Sequence, residues 1–240
     1  MATTGHKGTI LITGIGKRLG LALAQALLAD GYQVIGSFRR ETPALESLHS
    51  AGVTLIQCDF DQPDQLQAFT DQILSSHSHL RALVHNASDW LPDDASEGHA
   101  RIMERMMQVH VSVPYQLNLA LSPLLEASSN GGDIIHITDY VATRGSSKHI
   151  AYAASKAALS NMTLSFAAKL APQIKVNEIA PAMLKFNDGD GDAYKEKALR
   201  KALIPREGGF EEVIETVSWL MSSNFVTGRT IHLDGGRHLR

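Results

Sequence analysis

The chain has one cysteine, Cys58, in 240 residues. No intrachain disulfide can form, and a lone thiol fits a reducing compartment. Cys58 sits in a short β-like run and reads as a small buried strand residue rather than a nucleophile. No segment approaches the ~18 consecutive apolar residues of a spanning helix. The opening segment, MATTGHKGTILITGIG, lacks the longer apolar stretch of a secretory leader. A cytoplasmic location is therefore expected, and the N-x-S/T triplets at Asn86 and Asn161 carry no meaning for glycosylation. Charge of one sign is also scarce. Lys plus Arg number 22 and Asp plus Glu 25, a net charge of −3, without the basic excess that nucleic acid or anionic membrane partners require. The 11 histidines show no metal-ligand spacing. The acidic stretch Asn187–Asp192 has Ala193 and Leu199 where a calcium loop needs Gly and Glu, so it reads as a mobile loop. What remains is an ordinary globular composition, 44% hydrophobic and 20% charged, in a length that suits one domain.

Short apolar strands alternate with helices. Strands are predicted at Thr9–Thr13, Gln33–Phe38, Val53–Cys58, Leu80–Val84, Asp133–Thr138, Lys175–Ala180 and Arg229–Leu233. Helices are predicted at Leu19–Ala29, Ala44–Ala51, Pro63–Leu74, Glu97–Leu125 with an interruption near Pro114, His149–Leu170, Tyr194–Leu203 and Phe210–Met221. Uninterrupted apolar strands separated by helices mark a parallel sheet covered on both faces. The predicted class is α/β, a single doubly wound Rossmann-type domain over residues 1–240 with about seven strands.

In such folds ligands bind at the carboxyl ends of the strands. The first strand leads into Thr13-Gly14-Ile15-Gly16-Lys17-Arg18-Leu19-Gly20. Glycines there let the backbone approach a pyrophosphate, and the following helix presents free N–H groups and its positive end. A strict G-x-G-x-x-G would need glycine at 19, which is leucine. The second strand ends Ser37-Phe38-Arg39-Arg40, with arginine where an NAD binder usually places a carboxylate. Arginine attracts a 2′-phosphate, and one charge-assisted hydrogen bond contributes about 1.5–3 kcal/mol, which predicts NADP(H) over NAD(H). Tyr152 and Lys156, four apart, share one face of a predicted helix. A phenol titrates near 10, and a nearby ammonium is expected to favour phenolate, so Tyr152 reads as a proton-exchanging group.

Taken in order, these features resemble the short-chain dehydrogenase/reductase family over essentially the whole length. The shared features are the glycine turn at 14–20, Asp59 after the third strand, Asn86-Ala87 after the fourth, Tyr152 with Lys156, Ala180-Pro181, Val226-Thr227-Gly228, and Leu233-Asp234-Gly235-Gly236. The departures are specific. Arg18 replaces the middle glycine of Gly-x-x-x-Gly-x-Gly. Asp139 replaces the serine 13 residues before the tyrosine. His110 stands for the asparagine of the long helix, and Ser88 and Ala182 replace glycines. Arg18 and Asp139 together resemble the pteridine-reductase branch, as do Trp90 after Asn86-Ala-Ser-Asp and the Ser37-Phe38-Arg39 segment. That resemblance implies cofactor contacts for Gly14, Ile15, Lys17, Arg18, Leu19, Ser37, Phe38, Arg39, Asp59, Phe60, Asn86, Ala87, Ser88, Tyr152, Lys156 and Pro181. It implies substrate contacts for Arg18, Ser88, Trp90, Asp139 and Tyr152, and catalytic roles for Asp139, Tyr152 and Lys156.

The implied reaction is NADPH-dependent reduction of a 7,8-dihydropterin, such as dihydromonapterin, dihydrofolate or dihydrobiopterin, by a homotetramer with no metal. The chemistry of the departures agrees with it. An aromatic face at Trp90 would stack on a flat heterocycle, and Arg18 could donate to pterin and cofactor phosphates together. A carboxyl at 139 would repel a developing alkoxide but can orient a proton for an imine nitrogen. Asp139, Tyr152 and Lys156 should titrate as a coupled set. His110 could hold a water in a proton relay or be a satisfied core histidine. The alternatives are a reductase of ketones or acyl thioesters, and a non-catalytic NADP-binding sensor. Pterin-tail selectivity is expected from a substrate loop around 184–203, and the C-terminal Arg237–Arg240 could reach a neighbouring subunit.

Overall fold

The computed structural model describes residues 6–240; the first five residues lie outside them. Strands β1 (Thr9–Ile12), β2 (Gln33–Phe38), β3 (Thr54–Gln57), β4 (Ala82–His85), β5 (Gly132–Ile137), β6 (Ile174–Pro181) and β7 (Thr230–Leu233) form one sheet in the order β3-β2-β1-β4-β5-β6-β7. Every neighbouring pair is parallel. The predicted strands agree with these within one or two residues, because each is a short β-branched or leucine-rich run closed by a turn residue.

The pleat sends alternate residues to opposite faces. From β1, Ile10 and Ile12 enter a core shared with Leu23 and Leu27 of α1 (Arg18–Ala29) and Val217 and Leu220 of α9 (Glu211–Ser222). Leu11 enters a second core on the other face. It packs there with Phe69 of α3 (Pro63–Ser76), Leu117 and Leu121 of α5 (Val113–Glu126) and Phe166 of α7 (Ile150–Leu170). The remaining helices are α2 (Pro43–Ser50), α4 (His99–Met107), the single turn α6 (Val141–Arg144) and α8 (Asp192–Leu199). The predicted long helix at 97–125 divides into α4 and α5, joined by a widened π-helical turn at Gln108–Ser112. Pro114, second in α5, lacks the N–H and crowds the preceding turn; widening that turn accommodates it. Among the described residues no helix is long and apolar enough to cross a membrane.

The strand order reverses between β1 and β4, so the loops after these two strands splay apart and open a crevice at the carboxyl edge. At the opposite edge a buried ion cluster ties the sheet to α9. Asp133 pairs with Arg81 and with Lys175 (2.6 Å), and the two cations donate to the Met221 (2.5 Å) and Leu220 (2.7 Å) carbonyls.

Candidate active site

A cleft of about 590 Å³ lies at that crevice, running from the glycine turn to the end of β6. The turn is fixed from two sides. Gly14 N–H donates to Ser37 Oγ at 3.1 Å, and Ile15 N–H to the Ser37 carbonyl at 2.9 Å. From β4, Asn86 Nδ2 donates to the carbonyls of Thr13 (3.0 Å) and Gly14 (2.9 Å), while Thr13 Oγ1 accepts from the N–H groups of Asn86 and Ala87, both 3.0 Å. Gly14 has φ 75°, and a Cβ on Gly20 would lie 2.1 Å from the Gly14 oxygen and 2.5 Å from Asn86 Nδ2. Asn86 therefore staples the turn, and the glycines permit its approach. Ile15 faces inward: its side chain is fully buried above Gly36, so it shapes the turn instead of walling the cleft. Lys17 and Leu19 line the entrance beside it.

Arg18 is the one non-glycine residue with positive φ among the described residues, at 52°. The glycine expected at this position would adopt that conformation freely, whereas arginine there costs roughly 1–2 kcal/mol. Its guanidinium bridges to the segment after β6, donating to Asn187 Oδ1 at 2.8 Å and the Lys185 carbonyl at 2.6 Å.

At the other end, Phe38, Arg39, Asp59 and Phe60 line the cleft with Arg40. Arg39 is not free: it pairs with Asp89 at 2.9 Å. Arg105 of α4 holds the same carboxylate through Nε at 2.7 Å and a terminal nitrogen at 2.6 Å. Neither Asp89 nor Arg105 carries a motif signal, since their meeting depends on how α4 crosses the mouth. Cys58 is buried and its thiol is pushed up to about 12 by burial, which leaves it inert.

The chemistry-bearing side chains converge where β5 ends. Tyr152 Oη donates to Asp139 Oδ2 at 2.9 Å, and the Val141 N–H holds Asp139 Oδ1 at 2.9 Å. Lys156 Nζ donates to the Ile137 carbonyl at 2.9 Å and lies 5.7 Å from the Tyr152 ring centroid. All three side chains, with Ser88 and Pro181, wall the cleft. His110, in the π-helical turn, is fully buried. It bonds Ser88 Oγ through Nε2 and Ser155 Oγ through Nδ1, both at 2.8 Å. Of the two readings open to this histidine, the satisfied core residue describes its contacts.

The electrostatics correct one expectation. Burial, reinforced by the charge and hydrogen bond of Asp139, raises the Tyr152 phenol well above 10. Any pull toward phenolate from Lys156 is outweighed. Asp139 is raised from the ordinary carboxylate value by burial, against opposition from the Val141 N–H, Tyr152 and Lys156. Lys156 is lowered to about 8 by burial, with Asp139 and Glu178 opposing. Burial thus shifts the carboxyl and the phenol in the same direction, upward from their ordinary values. Trp90 also differs from expectation: it is 61% exposed, and its ring stacks on His149 at 4.0 Å rather than against the cleft walls. The loop turns outward after Asp89, whose two ion pairs fix it. Among the described residues no cluster of three or more His, Cys, Asp or Glu is placed to hold a metal.

The sequence profile described as enoyl-(acyl carrier protein) reductase matches residues 14–238. The chain belongs to the short-chain dehydrogenase/reductase family. Among curated relatives, this reductase is 52% identical to the dihydromonapterin reductase of Escherichia coli strain K12, over 96% of its own length and 97% of the relative's. It is 50% identical to that of Klebsiella pneumoniae with the same coverage. The fold of alternative dihydrofolate reductase 1 (FolM) from Brucella canis, solved with NADP, superposes at TM-score 0.87 and 27% identity, over 98% of this short-chain reductase and 95% of that chain. A blue fluorescent protein from a metagenomic library, solved with NADPH, gives 0.84 and 26%, over 97% and 98%.

Proposed function

We propose that this chain catalyses NADPH-dependent reduction of a 7,8-dihydropterin, dihydromonapterin first and dihydrofolate or dihydrobiopterin as related substrates, to the tetrahydro form. One observation carries the reading: the 2.9 Å contact between Asp139 and the Tyr152 phenol inside the cleft, in a chain half identical to dihydromonapterin reductases. The cleft residues fit NADPH. The turn stapled by Asn86 leaves a backbone cradle in which a Cβ at Gly14 would lie 2.9 Å from the Ala87 Cα, followed by the positive end of α1 for the pyrophosphate. Arg39 with Ser37 and Phe38 would receive the 2′-phosphate, Asp59 and Phe60 the adenine, and Lys156 the nicotinamide ribose.

When bound, the nicotinamide supplies a hydride, here to C6 of the dihydropterin. Tyr152, kept protonated by burial and Asp139, gives the proton that N5 must gain, and Asp139 orients that phenol and exchanges the proton with it. Arg18 and Ser88 would hold the pterin edge. Trp90 would cover its face once the side chain leaves His149. The segment after β6, tethered by Arg18, would read the pterin tail. A carboxylate at 139 suits an imine nitrogen and repels the oxyanion that develops when a ketone or thioester carbonyl is reduced, which disfavours the carbonyl alternative.

A homotetramer is supported by exposed apolar side chains on the outer faces of α5 and α7, Tyr115, Leu119 and Leu164. The small net negative charge and the lone buried thiol support a cytoplasmic enzyme with a small-molecule substrate and no nucleic acid partner. A spectrophotometric panel of NADPH or NADH against dihydromonapterin, dihydrobiopterin, dihydrofolate and simple ketones tests the proposal. Turnover of dihydropterins with NADPH is expected, with Tyr152→Phe and Asp139→Ala each reducing kcat at least ~tenfold while NADPH still binds. Turnover of ketones alone, or unchanged rates in both variants, would overturn it.

A further inference from the structure

The end of the cleft that Arg39 lines already holds an anion, and the chain itself provides it. The Asp89 carboxylate sits between two guanidinium groups, and one of its oxygens, Oδ2, serves both. Arg105 engages that oxygen through two nitrogens, Nε donating at 2.7 Å and a terminal nitrogen lying 2.6 Å away; Arg39 donates to it once, at 2.9 Å. The Arg105 side chain is 24% exposed and that of Arg39 38%. Arg39 is thus the more loosely held and wetter partner, and a drier, two-pronged pair is the stronger one. The Arg39 backbone is fixed at the end of β2 by Gln57 of β3, whose Nε2 donates to its carbonyl at 3.2 Å. Only the side chain has to turn for Arg39 to change partners.

A phosphate entering this end of the cleft competes with Asp89 for Arg39. If Arg39 were the sole partner of Asp89, giving it up would leave a largely buried carboxylate unpaired beside a second anion, which is unfavourable. Arg105 removes that obstacle, because Asp89 keeps a cation when Arg39 swings away. The local charge agrees. Arg39, Arg40 and Arg105 are balanced around this end by Glu41, Asp59 and Asp89, while Asp61 is taken up by Arg101. Without Arg105 the balance turns acidic where a phosphate must enter. Helix α4 does not depend on Arg105 for its place across the mouth, since Arg101, one turn earlier on the same face, ties it to Asp61.

We infer that Arg105 is a positioning residue for selection of NADPH over NADH: by holding Asp89 it frees Arg39 to receive the 2′-phosphate. The inference rests on the NADPH reading of the cleft and not on the identity of the substrate.

Binding to the ligand-free full chain tests it without turnover, at ~0.1 M salt, where exposed charges beyond about 10 Å are screened. NADPH and NADH are titrated by nicotinamide fluorescence, and 2′,5′-ADP, which carries the 2′-phosphate without a nicotinamide, by calorimetry. Arg105→Gln is expected to weaken NADPH and 2′,5′-ADP at least ~tenfold, about 1.4 kcal/mol, and NADH less than ~threefold. Asp89→Asn/Arg105→Gln should bring NADPH back to within ~threefold of the wild type, because Arg39 then has no carboxylate to leave. Unchanged NADPH binding in the single variant would overturn the inference. So would equal losses of NADPH and NADH, which would make Arg105 a prop for α4, or no recovery in the double variant, which would put Arg105 on the phosphate itself. Should Arg105→Gln fail to fold, Asp89→Asn alone is expected to bind NADPH at least as tightly as the wild type, and a ~tenfold loss there would be equally fatal. A wild-type chain without preference for NADPH would remove the cofactor reading and this inference together. A failed dihydropterin assay with the expected binding results would remove the proposed substrate and leave the role of Arg105 standing.

Discussion

At the scale of single residues the site depends on burial overriding proximity. Lys156 is close enough to Tyr152 to favour phenolate, yet loss of water around both groups sets the direction of each: the phenol up, the ammonium down to about 8. The pairing of Tyr152 with Lys156 was legible in the spacing of four, and Asp139 in its place 13 residues earlier. The balance of charge against desolvation was not, because it depends on how deeply β5 and α7 bury the groups. Lys156 carries a prediction. Its ammonium is present below pH 8 and lost above it, so kcat/KM should fall as pH rises through about 8. A pH–rate profile under kcat/KM conditions checks this, and a flat profile to pH 9.5 would contradict it. Arg18 is the converse case. Its side chain bridges two loops, but the positive φ that glycine would favour is visible only in the folded turn.

The elements act as carriers of these groups. Helix α7 delivers Tyr152, Ser155 and Lys156 together because residues three and four apart share a face; the sequence showed this for Tyr152 and Lys156, while Ser155 emerges only from its bond to His110. The glycine turn is an element with no slack. Gly20→Ala would force a methyl to 2.1 Å from the Gly14 carbonyl and onto the Asn86 amide. The staple from β4 must then open. Expected are a destabilisation of about 1–3 kcal/mol, as for other overpacked sites, and at least ~tenfold weaker NADPH binding, measured by thermal unfolding and by NADPH fluorescence titration. Wild-type affinity in this variant would show that the cradle does not hold the cofactor. The division of the 97–125 helix was legible only as an interruption near Pro114. That it takes the form of a π-helical turn, which places His110 between Ser88 and Ser155, reflects packing against α7.

At the scale of the whole molecule, the interior carries an unusual load of neutral histidine. His85, His136 and His110 are buried, and burial lowers all three, His85 to about 4. His85 Nε2 meets Asn118 Oδ1 at 2.8 Å, Asn118 Nδ2 lies 3.2 Å from His136 Nε2, and His136 Nδ1 lies 2.8 Å from Thr163 Oγ1. In the unfolded chain each would bind a proton below about 6.5; in the folded protein His85 waits until about 4. Stability should therefore fall as pH drops from about 6.5 to about 4, on the order of 3 kcal/mol for His85 alone. Asp133 and Asp139, raised by burial, offset part of this at the acid end. Calorimetric Tm values between pH 7 and pH 4.5 test it, and a constant Tm would refute it. This burial was not foreseen: His85 and His136 lie in short strands whose apolar neighbours announce the strand but not the partners waiting on α5 and α7. What the residues determined unaided was the alternation of strands and helices, the glycine turn, and the placing of Tyr152 and Lys156 on one helix face, all of which are local in sequence and follow from period and spacing; the roles of Arg18 and Asp139 were implied only by resemblance. What only the tertiary structure decided was which groups meet across the strand order and how dry they become. The turn of Trp90 toward His149, the grip of Asp89 on two arginines and the protonation of Tyr152 all arise from contacts between segments far apart in the chain, where burial and not sequence distance sets the energy.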